Sequence, residues 1–212
     1  MASLFKEVSQ IFKKFAGENL VGKTVTFIPT VAVPDKLDFH IKYSKELLGG
    51  MGLIVDELEI LTATNLEIVN KLENNDYIYV AGGNTFFLLQ EMNRSGAGEL
   101  IKKQINAGKL YIGESAGAIL VAPNIEYARD TDNSLVAPNL RAFDALDVID
   151  FYPVPHLEDE SLIEGVEKII AKYDEKLQLV PFSNSQAVLV MGKEKQVVSN
   201  ENSEGVRWKN YY

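Results

Sequence analysis

Residues 109–122 read KLYIGESAGAILVA, in which a short apolar run leads into a glycine-flanked serine and a second apolar run follows. The first run predicts a buried strand, and the second predicts a short helix that ends at Pro123. A serine in such a strand-to-helix turn adopts a strained conformation that lifts its hydroxyl above the sheet. The stretch therefore predicts an α/β sheet with a candidate nucleophile at Ser115.

The same alternation of strand and helix patterns extends to both sides of this turn. Apolar, β-branched runs that predict strands occupy residues 24–30, 53–60, 76–81 and 148–154, and helical patterns occupy residues 35–48, 65–72, 85–93, 98–107 and 161–173. Such alternation is typical of parallel strands joined by helical crossovers. We therefore predict an open, doubly wound, mostly parallel sheet with helices on both faces, in a single domain over residues 1–212. Two short strands near residues 187–191 and 196–199 are expected to extend one edge.

The composition excludes several classes of protein. The chain has 212 residues, no cysteine and a net charge of −9. Without cysteine there can be no thiolate enzyme, zinc ribbon or disulfide scaffold, and covalent catalysis must use oxygen or nitrogen. The acidic balance argues against nucleic acid as a partner, because binding to phosphates needs a clustered basic surface. We expect no metal and no organic cofactor.

The first fifteen residues predict a packed helix rather than a targeting segment. Their apolar positions fall on one helix face, with lysines and Glu7 interleaved. A signal peptide would need an uninterrupted apolar core, and no window of the chain approaches the ~20 apolar residues of a membrane span. We therefore expect a cytoplasmic protein, as a monomer or a homodimer, that has no contact with a membrane.

A serine nucleophile needs a base within hydrogen-bonding reach, and the chain has two histidines. His40 lies in a helical pattern and is expected to be a surface helix residue. His156 follows a strand pattern and opens a loop, at the end of a sheet where ligands of open α/β sheets bind. His156 is therefore the candidate base.

A catalytic triad also needs a carboxylate, and spacing alone leaves four candidates open: Asp130, Asp132, Asp144 and Asp147. Any of them could instead be a solvated loop residue.

An oxyanion needs backbone donors, which the N–H groups of Ala116 and Gly83 could supply. Gly83 lies in the turn Gly82-Gly83-Asn84-Thr85, which also follows a strand pattern and precedes a helix pattern. Such a turn could equally bind a phosphate or only permit a tight bend. We further expect Asn84 and Glu114, which lie in the two turns, to contact the substrate.

Four segments together resemble the dipeptidase E (aspartyl dipeptidase) family of serine peptidases. They are AGGNTFFLL at 81–89, YIGESAGA at 111–118, FDALD at 143–147 and PH at 155–156, and the resemblance spans residues 24–192. It implies a fold similar to that of class I glutamine amidotransferases, a short peptide as substrate, Ser115 as nucleophile and His156 as base. It also implies Asp130 as the triad acid, with Gly83 and Ala116 as oxyanion donors.

The chain departs from the family pattern at several positions. The family has asparagine where this chain has Ile119, no acid at the position of Glu114, and often aspartate where Asn184 stands. An anionic Glu114 beside the nucleophile would repel a substrate aspartate unless it points away or is paired. The chain also begins with a helix where relatives begin with a strand, so one parallel strand is expected to be lost or replaced.

Three hypotheses follow for the function. The first is a serine exopeptidase or dipeptidase with a Ser-His-Asp triad, for which specificity for N-terminal aspartate stays open. The second is an esterase or a cyanophycinase-like hydrolase that uses the same site. The third is a catalytically silent binding protein on the same fold.

Overall fold

The computed structural model of the chain describes residues 1–2, 5–17, 19–29 and 34–200, with the backbone alone for residues 34–38. Residue 30, the last of the first predicted strand, and residues 201–212 of the predicted domain lie outside this part.

The described chain contains eight strands and seven α-helices, which alternate except that α4 is followed by α5 and the last three strands are consecutive. The strands are β1 (Thr24–Ile28), β2 (Ile54–Glu57), β3 (Tyr77–Val80), β4 (Leu110–Gly113), β5 (Tyr152–Leu157), β6 (Leu179–Ser183), β7 (Gln186–Met191) and β8 (Glu194–Ser199). The helices are α1 (Phe5–Phe15), α2 (Pro34–Gly50), α3 (Asn65–Asn74), α4 (Thr85–Ser95), α5 (Ala97–Asn106), α6 (Ala116–Ile119) and α7 (Ile163–Tyr173). Two 3-10 helices, Glu126–Asp130 and Ser134–Val136, lie between α6 and β5.

The central sheet is parallel, with its four strands in the order β2-β1-β3-β4. Strands β5 and β6 form a second parallel pair, whereas β7 and β8 form an antiparallel hairpin. Helices connect the strands of the central sheet, as parallel pairing requires. The prediction of an α/β fold with a mostly parallel sheet is confirmed.

Both faces of the central sheet are covered by helices. On β3, Ile78 and Val80 pack into a core with residues of α3, α4 and α5. Tyr79 points to the opposite face, because successive side chains of a strand alternate, and there it packs with Phe27, α1 and α2. The β-branched and aromatic composition of these strands follows from burial on both sides.

Residues 1–2 connect the central sheet to the C-terminal hairpin. The N–H of Ala2 donates to the carbonyl of Gly113 over 2.9 Å, and the N–H of Ser115 donates to the carbonyl of Ala2 over 2.9 Å. On the other side, Val188 donates to the carbonyl of Met1 over 2.9 Å. The hairpin therefore lies beyond the β4 edge with these two residues between them, which agrees with its predicted place at one edge.

Among the described residues, no helix is both long enough and apolar enough to cross a membrane.

Candidate active site

The turn between β4 and α6 holds Ser115 in a backbone conformation that side chains rarely adopt, with φ 50° and ψ −111°. Its glycines are explained by close packing. A Cβ atom on Gly113 would lie 2.3 Å from the carbonyl oxygen of Gly117, and one on Gly117 would lie 2.3 Å from the carbonyl oxygen of Val80. The turn can therefore form only with glycine at both positions, and it places Ser115 at the carboxyl end of the sheet.

His156 lies beside the serine, with 2.8 Å between its Nε2 and the Oγ of Ser115. It belongs to β5, where the pairing with β6 is irregular between Val154 and Leu157, and its φ of 66° is left-handed. Burial lowers the pKa of His156 below its usual value, although a hydrogen bond with Asn184 and the charge of Asp159 act in the other direction. The imidazole is therefore held in its neutral form, which can accept a proton.

The other ring nitrogen of His156 contacts an amide rather than a carboxylate. Its Nδ1 lies 2.9 Å from Oδ1 of Asn184, and Nδ2 of Asn184 donates to Oδ2 of Asp159 over 2.8 Å. Oδ1 of Asp159 accepts from the N–H and the hydroxyl of Ser161, over 2.9 and 2.6 Å. The bonds from Ser161 and Asn184 hold the pKa of Asp159 below its usual range, so this carboxylate is charged.

The structure does not bring Asp130 to His156. Asp130 is a solvent-exposed residue at the end of a 3-10 helix, and its carboxylate lies 3.6 Å from Nζ of Lys172. Since Ser115 and Asn184 occupy the two ring nitrogens of His156, the bond expected from the family pattern is replaced by the bond with Asn184. The position fifteen residues after the nucleophile therefore faces solvent in this chain.

Two of the three remaining acid candidates, Asp132 and Asp144, have other partners. Oδ2 of Asp132 accepts from the N–H of Thr85 over 3.1 Å and also from the Thr85 hydroxyl. Asp144 accepts from Nδ2 of Asn124 over 3.2 Å. Asp147 has a left-handed φ of 50° in the loop before β5.

The expected oxyanion donors lie in the two turns that flank the serine. Gly83 follows β3 with a φ of 146°, and a Cβ on its neighbour Gly82 would lie 3.1 Å from Cβ of Ser115. Within the described part of the chain, no group accepts a hydrogen bond from the N–H of Gly83 or from that of Ala116. Both donors are therefore available to a ligand.

Glu114 does not face the substrate pocket, contrary to expectation. It is 7% exposed and accepts from the N–H of Phe5 over 2.8 Å, from the hydroxyl of Tyr79 over 2.5 Å and from that of Ser44 over 3.4 Å. Glu114 therefore lies under α1, whereas Ser115 lines the pocket. Its burial raises the pKa of the Glu114 carboxyl.

Asn84 serves the helix that follows it. Its Oδ1 accepts from the N–H of Phe87 over 3.0 Å, which caps α4, and its Nδ2 donates to the carbonyl of Asn133 over 3.0 Å. The side chain that was expected to contact substrate therefore ties the loop after the first 3-10 helix to α4.

A pocket opens beside the serine. Ser115, His156 and Asp132 line it together with apolar side chains from α6, β5 and α7. Among the described residues, no group of three or more His, Asp or Glu side chains could hold a metal ion.

Sequence reasoning missed the roles of Asn184 and Asp159. The available signals were the acidic loop HLEDE that begins at His156, and the departure from the family pattern at Asn184. Neither signal shows contact with the imidazole, because β6 and β7 bring Asn184 to the site from 28 residues further along the chain.

Comparisons with known proteins agree with this geometry. The model of peptidase family S51 matches residues 1–198. The chain is 47% identical to a Listeria monocytogenes peptidase, Lmo0363, whose name marks it as uncharacterized, over 92% of this chain and 94% of that protein. It is 34% identical to peptidase E of Salmonella arizonae over 68% of this chain and 58% of that protein.

Solved structures show the same similarity. A crystal structure of a Listeria monocytogenes protein provisionally named peptidase E matches with a TM-score of 0.88 and 46% identity, and covers 93% of this chain and 96% of its own. A peptidase from an acI-B1 actinobacterium, 19% identical with a TM-score of 0.64, shares the fold over 94% of this chain and 82% of its own. The resemblance read from the sequence and the prediction of a serine-type peptidase are confirmed, and the chain belongs to peptidase family S51.

Proposed function

We propose that this chain hydrolyses short peptides through an acyl-enzyme, with Ser115 as nucleophile and His156 as general base. The observation that carries the proposal is the 2.8 Å contact between Oγ of Ser115 and Nε2 of His156 at the carboxyl end of the sheet. A serine is a weak nucleophile at its free pKa, and a neutral imidazole in this position activates it.

Asn184 gives the imidazole the tautomer that this reaction needs. The Asp159 carboxylate can only accept hydrogen bonds, so the Asn184 amide must turn its NH₂ group toward it and its oxygen toward His156. That oxygen then accepts the proton on Nδ1, which leaves the lone pair on Nε2 facing Ser115. Asp159 and Asn184 are therefore positioning residues in this proposal.

The covalent steps then follow in order. Oγ of Ser115 bonds to the scissile carbonyl carbon as its proton moves to Nε2 of His156, and the N–H groups of Gly83 and Ala116 bind the resulting oxyanion. The C–N bond breaks as the imidazolium returns the proton to the leaving amine. A water molecule, deprotonated by His156, then attacks the ester carbonyl; the C–O bond to Ser115 breaks, His156 returns the proton to Oγ, and the acid leaves.

An amide at Asn184 stabilises the imidazolium less than a carboxylate would. The negative charge belongs to Asp159, which is separated from the ring by the whole Asn184 side chain. We therefore expect Asn184 and Asp159 to raise the catalytic rate mostly by orienting the imidazole of His156. Their electrostatic stabilisation of the imidazolium should contribute less.

A fluorophosphonate probe and a panel of dipeptides and aryl esters test the proposal together. We expect the probe to label wild-type protein and the control Ser134→Ala, which removes a half-buried serine outside the pocket, and to leave Ser115→Ala unlabelled, with peptide turnover lost in the same variant. Turnover confined to the esters would favour the esterase hypothesis. A folded protein that neither takes the label nor turns over any substrate would support the silent binding protein.

A further inference from the structure

The pocket beside Ser115 is mostly apolar. Ile119, Val154, Leu162 and Ile169 line it, and none of the described residues that line it is a lysine or arginine. A substrate side chain that enters here leaves water for an aliphatic surface, which favours apolar groups. A carboxylate in the same place would meet no lysine or arginine among the described residues that line the pocket.

One carboxylate, that of Asp132, lines this apolar pocket. Its Oδ2 is held by the N–H and the hydroxyl of Thr85, in the first turn of α4. No described residue donates a hydrogen bond to its other oxygen, Oδ1. The start of α4 therefore occupies Oδ2 of Asp132, and Oδ1 is available to accept a hydrogen bond from a ligand.

Hydrogen bonds to the start of α4 hold Asp132 in its position in the pocket wall. Asn84 and Thr85, the cap and first residue of α4, bond to Asn133 and Asp132, so two successive loop residues are tied to the start of one helix. Burial raises the pKa of the Asp132 carboxyl, and a bound cation would favour its charged form.

We propose that Asp132 binds the α-ammonium group of the substrate's N-terminal residue, whose apolar side chain packs against Ile119, Leu162 and Ile169. The proposal rests on the proposed function, since it takes a peptide as the ligand of this pocket. It gives the site two selective features: a free N-terminus is required, and an apolar first residue is preferred to aspartate. The position of Ile119, where the family pattern has asparagine, is part of the apolar wall.

Binding to the inactive Ser115→Ala variant tests this assignment without turnover. We expect calorimetry at pH 7 to show leucyl-leucine binding at least tenfold more tightly than either N-acetyl-leucyl-leucine or aspartyl-leucine. Adding Asp132→Asn should weaken leucyl-leucine at least tenfold and leave the acetylated peptide unchanged. Adding Glu126→Gln, which removes one exposed charge from the same segment, should change neither peptide.

Several results would overturn the assignment. These are equal binding of the free and acetylated peptides, indifference to Asp132→Asn, tighter binding of aspartyl-leucine, or no binding of leucyl-leucine. N-acetyl-lysyl-leucine carries its cation on the side chain, so Asp132-dependent binding of that peptide would place a side chain at the carboxylate and would also contradict the proposal. Binding is measured in a variant that lacks Ser115, so the two proposals can fail independently. The binding assignment can fail while the probe still labels Ser115, and labelling can fail while the peptides still bind in the expected pattern.

Discussion

Oδ1 of Asn184 lies 2.9 Å from Nδ1 of His156, at the point where a triad carboxylate would stand. The amide is oriented by Asp159 on its other side, so the charge and the contact with the ring are supplied by two residues. Because one residue supplies the amide and the other the carboxylate, exchanging the two side chains is a direct test of this arrangement.

Exchanging the acid and the amide tests that orientation. Asn184→Asp alone places two carboxylates face to face, and we expect kcat to fall by about 10- to 150-fold, since a lost hydrogen bond to a charged group costs about 1.5–3 kcal/mol. The double variant Asn184→Asp/Asp159→Asn restores a donor opposite the acid, and activity should recover to at least the wild-type level. Steady-state kinetics of the three proteins measure this, and a double variant no better than the single one would contradict the assigned amide orientation.

The acid limb of kcat/KM should report a His156 with a lowered pKa. Burial disfavours the imidazolium, so the ring stays neutral and competent as a base below the usual histidine pKa of 6.5. We expect the midpoint of the acid limb below that value in the wild type. In the double variant it should move to higher pH, because a carboxylate in direct contact favours the charged ring. A midpoint above 6.5 in the wild type would contradict this prediction, because it would show that Asn184 and Asp159 affect the pKa of His156 more than burial does.

Asp130→Asn should leave activity within about threefold of wild type. Its carboxylate faces Lys172 across 3.6 Å at the surface, and exposed ion pairs contribute about 0–1 kcal/mol. Asn184→Ala, which removes the group that contacts the imidazole, should lower kcat about 100-fold with little change in KM. Measuring both variants on one substrate decides between the residue implied by the family pattern and the residue found at the ring.

Glu114→Gln should gain stability relative to wild type as the pH rises. Burial raises the pKa of folded Glu114 above its unfolded value near 4.5, so between the two values the folded state holds more protons and wild-type stability falls with increasing pH. Glutamine does not titrate, so the difference in unfolding free energy, variant minus wild type, should increase from pH 4.5 to pH 7.5. Urea unfolding measures it, with Glu126→Gln as the exposed control; a pH-independent difference would contradict the buried location.

Residue patterns within single segments of the sequence made much of the fold, and the nucleophile, predictable. The alternation of β-branched runs with helical periodicity specifies parallel strands with crossovers, since each element must bury its apolar residues on the sheet. The serine turn was predictable because Gly113 and Gly117 are required wherever backbone passes so close to backbone. His156 was predicted from its position just after an apolar strand pattern, and in the structure β5 extends through it to Leu157.

Contacts made across the fold were decided by tertiary structure alone. The spacing of Asp130 from Ser115 suggested a triad acid, but the 3-10 helix turns Asp130 to solvent, and β6 leads the chain back so that Asn184 reaches the imidazole. Glu114 is next to the nucleophile in sequence yet packs under α1, where its carboxylate accepts from the N–H of Phe5, a residue 109 positions away in the chain. Sequence patterns therefore determined which backbone turns form, whereas partners from distant segments became visible only when the strands were placed side by side.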